Sequence, residues 1–268
     1  MISFNQLGNL GRLGNQMFQY AAIKGIAKNK GYDFIISPLN YFGVSDPNVR
    51  NTPDNLYSTF ELNSAKQGTQ SVRIVKESGF AFDQNLFDTC DDDVDLYGYF
   101  QSEKYFKHIE DEVRKDFTFK DYIQVPTKKQ FEEVFGDEDV ISLHVRRGDY
   151  VNSKEHPTPS LEYYSKALEQ LDSGLSVMVF SDDVEWCKEQ TIFSDDRFLF
   201  SEDNIAGVDL YLQSLCKYHI IANSSFSWWG AWLADSKKTI APQKWFGGNC
   251  SKNETKDLYL KEWCIIDE

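Results

Sequence analysis

Val140-Ile-Ser-Leu-His-Val-Arg-Arg-Gly-Asp149 begins as an apolar run and ends abruptly in two arginines, a glycine and an acid. Val140-Ile-Ser-Leu-His-Val145, rich in branched apolar residues and ended by turn-forming ones, reads as a strand. Downstream, residues 160–171 have the helical period, with Leu161, Tyr164, Leu168 and Leu171 on one side. Strands over 175–180, 197–200, 219–222 and 238–241 then alternate with helices over 184–190, 206–218 and 226–234. Strands alternating with helices predict an α/β fold with a parallel, doubly wound sheet. The N-terminus offers a second start of the same kind. It has a strand over 2–7, glycines at Gly8, Gly11 and Gly14, a helix from an Asn15 N-cap to about residue 29, and a strand over 33–36. Phe18, Ala21, Ala22, Gly25 and Ile26 give that helix one apolar face. Residues 37–95 carry no period that orders them. Pro126 and the Gly136-Asp-Glu-Asp139 turn suggest a division near 120–139, giving domains 1–130 and 131–268.

The chain has 268 residues with 28 basic and 42 acidic side chains, a formal net charge of −14. That balance argues against a general nucleic-acid binder, so an anionic ligand has to be met by a few local cations. An apolar fraction of 41%, with 15% aromatic residues, excludes disorder. Five scattered cysteines without a CxxC pair read as reduced thiols. No basic leader precedes an apolar core at the N-terminus, and no apolar run approaches 18 residues. A cytoplasmic location without an integral membrane segment is therefore expected. The glycines at 8, 11 and 14 do not have the G-x-G-x-x-G spacing of a dinucleotide site. Asp91-Asp92-Asp93 and Asp95 resemble a metal-holding acidic pair, but they lie far from the regularly alternating second half of the chain and read better as a solvated loop. Arg147-Gly-Asp149 as an integrin-type tripeptide is coincidence.

Ligands of open parallel sheets bind beyond the carboxyl ends of the strands. Here those ends are polar: His144-Val-Arg-Arg-Gly-Asp-Tyr150, Ser181-Asp-Asp183 and Asn223-Ser-Ser-Phe-Ser-Trp-Trp-Gly230, which should converge on one crevice. Paired guanidinium forks suit phosphate oxygens, and the serines before a helix suit an anion at its N-terminus. An Asp182 carboxylate suits the N1–H and N2 amino group of guanine, and Phe226, Trp228 and Trp229 supply an aromatic wall. Together they describe a nucleoside-diphosphate pocket. Each feature has a blander reading. The arginines could form a structural ion-pair network, Asp182 could cap the next helix, and the tryptophans could be core on at least one face.

Five stretches, in order along nearly the whole chain, resemble the motifs of glycosyltransferase family 11, the α-1,2-fucosyltransferases. They are Gly11-Arg-Leu-Gly-Asn-Gln-Met-Phe-Gln-Tyr-Ala21, Gly98-Tyr-Phe-Gln-Ser-Glu-Lys-Tyr-Phe106, His144-Val-Arg-Arg-Gly-Asp149, Phe180-Ser-Asp-Asp183 and Asn223-Ser-Ser-Phe-Ser-Trp-Trp-Gly-Ala-Trp232. The resemblance implies a GT-B fold, two Rossmann-like domains facing across a cleft, with an acceptor-side N-terminal domain and a GDP-fucose-binding C-terminal domain. It implies GDP-β-L-fucose as donor, a galactose-containing glycan as acceptor, inversion at the anomeric carbon, and no cofactor or metal. By the same resemblance Arg146 grips the departing diphosphate, and Asn15, with Gly14 in its loop, reaches toward the fucose and β-phosphate. His144 and Asp182 contact guanosine, and Ser225, Phe226 and Ser227 form the phosphate-binding turn. Arg147 and Asp149 brace the motif. The chain looks like the soluble bacterial or viral members, without the membrane anchor of Golgi ones. Asp149, Glu155 or an N-domain carboxylate could serve as base, and the sequence does not choose. A different fucosyl linkage and a non-catalytic nucleotide- or carbohydrate-binding protein stand as alternatives.

Overall fold

A computed structural model describes residues 1–38 and 55–267. The chain divides into two compact units, Met1–Lys120 with Asn253–Leu260, and Asp121–Lys252 with Lys261–Glu268.

The first unit is built on a five-stranded parallel sheet. Its strands are β1 (Ile2–Phe4), β2 (Phe34–Ile36), β3 (Lys66–Gln67), β4 (Arg73–Lys76) and β5 (Val94–Tyr97), in the order β3-β2-β1-β5-β4. Helix α1 (Leu13–Lys30) crosses from β1 to β2. The expected single apolar face is a correction to make: from Leu13 to Ala27 every residue except Asn15 is buried, so α1 is a core helix enclosed on all sides. The Asn15 N-cap is a second correction. Arg12 occupies the cap without a side-chain bond, and Asn15 lies inside the first turn. Among the described residues of the unpatterned stretch before β5 are two short helices, α2 (Leu56–Thr59) and α3 (Gln84–Thr89), along with β3 and β4. Helix α4 (Glu110–Asp116) follows β5. Its buried Asp116 accepts from Lys24 at 2.6 Å and from the Tyr20 hydroxyl at 2.5 Å, which fastens α4 to α1.

The second unit carries a six-stranded parallel sheet. Its strands are β6 (Val140–Val145), β7 (Ser176–Ser181), β8 (Phe198–Phe200), β9 (Tyr218–Ile220), β10 (Lys238–Pro242) and β11 (Cys264–Ile266), in the order β11-β10-β9-β6-β7-β8. All six residues of β6 are buried, as a central strand requires. Helices α6 (Leu161–Leu168), α7 (Val184–Lys188), α8 (Ala206–Leu215) and α9 (Ser225–Leu233) link the strands. Tyr163, Tyr164, Val177, Val179 and Ile220 belong to one core cluster with β6.

The division at residue 130 falls inside helix α5 (Asp121–Phe135), which belongs wholly to the second unit. Pro126 removes one helical donor, yet Ile123, Thr127, Phe131 and Phe135 form a buried stripe at intervals of four. Phe131 and Phe135 pack with Val140, Phe180 and Leu212, and this burial outweighs the proline. The other departure is residues 253–260. Asp257 accepts the Phe82 N–H at 3.1 Å and the Lys104 ammonium at 2.5 Å, which ties this late segment to the first unit.

The buried Lys24–Asp116 pair generates a test. Lys24→Met leaves the carboxylate without its cation and should cost about 3 kcal/mol in urea unfolding, the scale for breaking a buried pair. Asp116→Leu added to Lys24→Met should recover part of that loss. A double variant no more stable than Lys24→Met would contradict the pair as the source of the effect.

Candidate active site

The chain order along the second sheet reverses at β6, whose neighbours are β9 and β7. Such a switch point opens a crevice at the carboxyl ends of the strands. The pairing of Val145 with Ser181 sets Arg146 beside Asp182. Asp182 Oδ2 lies 2.6 Å from Arg146 Nη1, and its Oδ1 accepts the Arg147 N–H at 2.8 Å. Arg146 also donates to Asp149 and lies over the Tyr150 ring, 4.9 Å from its centroid. The turn fits only because residue 148 is glycine. Its φ is +27°, and a Cβ there would meet Asp182 Oδ2 at 2.4 Å.

Arg147 turns the other way. Its Nε donates to Asp183 Oδ2 at 2.9 Å and its guanidinium lies 3.7 Å from the centroid of the Trp186 ring. Arg147 is thus braced by α7, while Asp149 sits on Arg146.

His144, on β6, has Nδ1 2.8 Å from the Ser227 hydroxyl, and its ring lies 5.9 Å from that of Phe226. Burial first and the Arg146 charge second push its pKa down to about 3, so the imidazole is neutral. Ser224 caps α9 by accepting the Phe226 N–H at 3.3 Å, and Ser225 is the first helical residue. The helix start therefore adjoins the β6 end, as anion binding needs. The aromatic wall needs correcting. Trp228 and Trp229 are fully buried and pack edge to face at 5.0 Å, so they are core, and of the three only Phe226 is partly exposed.

One residue beside Tyr150, His156, carried no signal of its own. His156 stacks on Tyr150 at 5.0 Å and contacts Phe246 at 5.5 Å. The buried Asn223 holds the loops on either side of this stack by donating to the Pro157 and Trp245 carbonyls at 2.8 and 3.0 Å.

In the first unit the order reverses at β1, flanked by β2 and β5. Asn15 Oδ1 accepts from Gln101 Nε2 at 2.7 Å. Gln19 Nε2 donates to the Leu10 and Gly98 carbonyls at 3.0 and 3.3 Å, joining the loop after β1 to the loop after β5. Gly14 is buried in the first turn of α1. Asp91, Asp92 and Asp93 are exposed and paired with Arg73 or the N-terminal amine, whereas Asp95 is buried on β5 and accepts from Ser3 and the Asn5 N–H. Among the described residues no group of three or more His, Cys, Asp or Glu is placed to hold a metal ion, and no helix is long and apolar enough to cross a membrane.

Two parallel α/β units, one with a guanidinium at its switch point beside a helix start, have the architecture of the GT-B fold. The family 11 glycosyltransferase pattern matches residues 2–267, and the chain belongs to that family and is a glycosyltransferase. It is 35% identical to an alpha-1,2-colitosyltransferase of Escherichia coli over 88% of this chain and 90% of that one. It is 28% identical to galactoside alpha-(1,2)-fucosyltransferase 2 of Pongo pygmaeus over 84% of this chain and 67% of the relative. Its fold is similar to that of fucosyltransferase NodZ from Bradyrhizobium, with a TM-score of 0.56 at 13% identity, covering 87% of this chain and 93% of that one. A structure of POFUT1 in complex with GDP-fucose superposes with a TM-score of 0.52 at 12% identity, covering 90% and 96%.

Holding His144 neutral links the site to pH. Its folded pKa, about 3, lies below the ordinary 6.5, so its contribution is fully present above pH 6.5 and is lost as pH falls toward 3. Below pH 6.5 the unfolded chain takes up a proton that the folded chain refuses. His144→Gln should therefore lose Tm less steeply than the wild type between pH 6.5 and 5; equal slopes would contradict a neutral, buried imidazole.

Proposed function

We propose that the protein transfers L-fucose from GDP-β-L-fucose to a hydroxyl of a galactose-containing glycan, with inversion and without a metal, forming an α-1,2 linkage. The observation that carries this reading is Arg146. In a chain of net charge −14 it stands at the switch point of the second sheet, beside a neutral histidine bonded to the start of α9. The α-1,2 linkage and the galactoside acceptor draw support from the names of the relatives, and the donor from the GDP-fucose complexes of the similar folds. In this reading Arg146 and the N–H groups of α9 stabilise GDP as it departs, by preorganised charge. The diphosphate draws Arg146 from its acids, and Asp182 is then available to guanine N1–H and the N2 amino group. His144 and Phe226 line the guanosine side, Ser225 and Ser227 the phosphate turn, and Asn15 with Gly14 the fucosyl side. The acceptor hydroxyl gives up its proton late, so the step does not depend on a strong base. Five free cysteines support a reducing, cytoplasmic setting. A colitosyl donor is the second reading, favoured by the 35% identical colitosyltransferase.

Ligand specificity and the arginines test it. GDP should raise Tm, and UDP much less; equal shifts would contradict a guanine site. Arg146→Ala should lower turnover of GDP-fucose by about 100-fold. Arg146→Lys should recover little, because an ammonium lacks the planar two-bond fork. Arg147→Ala should lower Tm through loss of Asp183 and Trp186 while the folded fraction still turns over. A destabilised but active Arg146→Ala beside a folded, inactive Arg147→Ala would reverse the assignments. EDTA should leave activity intact, and loss restored by Mn²⁺ would overturn the metal-free mechanism.

A further inference from the structure

Glu77 follows β4, and the pairing of Lys76 with Tyr97 brings it alongside Gly98 at the end of β5. A single oxygen, Oε2, accepts the Tyr99 and Phe100 N–H groups at 3.1 and 3.0 Å, and Oε1 accepts the Tyr105 hydroxyl at 3.3 Å. The turn it holds is strained. Phe100 has φ of +54°, a region that a side chain with a Cβ rarely adopts. The Phe100 ring is buried, 5.8 Å from Phe4 and 5.3 Å from Tyr105, which fixes the side chain while the carboxylate fixes the backbone. Gly98 admits the carboxylate, because a Cβ there would lie 2.7 Å from Glu77 Oε2.

The turn delivers the next residue, Gln101, to Asn15 at 2.7 Å. We propose that Glu77 is a positioning residue: its carboxylate folds the turn over residues 98–101 and, through Gln101, sets the orientation of the Asn15 amide. This rests on the reading that Asn15 serves the fucosyl group. Both oxygens of Glu77 are engaged by the turn and by Tyr105, which ties the carboxylate in place. Burial pushes its carboxyl up to about 7, as it would for an acid retained in an unfavourable place for its hydrogen bonds.

The test compares Glu77→Ala, Glu77→Gln, Gln101→Ala and the double variant Glu77→Ala with Gln101→Ala. Side-chain amide NMR of the unliganded protein reads the positioning directly. The Asn15 and Gln101 amide signals should move in Glu77→Ala and stay near the wild type in Glu77→Gln, whose amide oxygen can still accept both N–H groups. With GDP-fucose and a galactoside, kcat should fall about 10- to 100-fold in Glu77→Ala, the scale of a small misplacement. Glu77→Gln should recover most of the rate, and the double variant should be no slower than its slower parent. Should Glu77→Ala fail to fold, Glu77→Asp takes its place, one methylene too short, and must be slow where Glu77→Gln is fast. Unmoved amide signals, a slow Glu77→Gln or multiplying losses in the double variant would overturn the proposal. A wild type that transfers no fucose would strike the functional reading alone, since the amide signals still decide the role of Glu77.

Discussion

The six-residue pairing of β6 with β7, from Val140–Ser176 to Val145–Ser181, is the constraint on which the candidate site depends. Side chains alternate along a strand, so a slip of one residue would reverse every face of β6. Ile141, Leu143 and Val145 pack into one core cluster, Val140 packs into another and His144 bonds Ser227, so a slip would exchange all of these partners. The fixed register brings Arg146 out of the sheet beside Asp182 and Arg147 beside Asp183, and the glycine between Arg147 and Asp149 lets the turn close on the Asp182 carboxylate. Charge that would be costly to bury alone is thereby met in advance.

Each unit applies the same device at its own switch point. In the second, the chain leaves the neighbouring strands β6 and β9 toward opposite edges of the sheet, and the polar segments that follow them are joined by the bond between His144 and Ser227. In the first, β1 and β5 are neighbours at the point where the order reverses, and the loops that follow them are joined by Gln19 and by the bond between Gln101 and Asn15. Fully buried helices and strands carry the stability, and the loops carry the polar chemistry. That division of labour is the usual one in doubly wound sheets.

Much of the second unit was legible because its signals are local. The apolar run of β6, the apolar side of α6 and the serine cap of α9 each declare themselves within a few residues. Arg146 stood out as paired cationic charge in an acidic chain. What stayed hidden depends on pairing at a distance. β3 has two residues and β4 four, too short for a period, and β4 is fixed by its partner β5. Asn15 reads as a cap because asparagine favours caps, but Gln101, 86 positions away, claims its carbonyl. Glu77 carries no motif, and its role comes from a register. Pro126 signals a break that a buried stripe overrides, and Trp228 and Trp229 look like a binding wall until the helix is seen to be buried on both sides.

The account centres on Arg146 as the group that meets the diphosphate, with Arg147 held back by Asp183 and Trp186. Arginine side-chain NMR on ¹⁵N-labelled protein, with the two guanidinium signals assigned from Arg146→Lys and Arg147→Lys spectra, reads this directly. Addition of GDP should displace the Arg146 Nε–H signal and leave that of Arg147 near its unliganded position. A saturating GDP titration that moves Arg147 and leaves Arg146 in place would contradict the central claim.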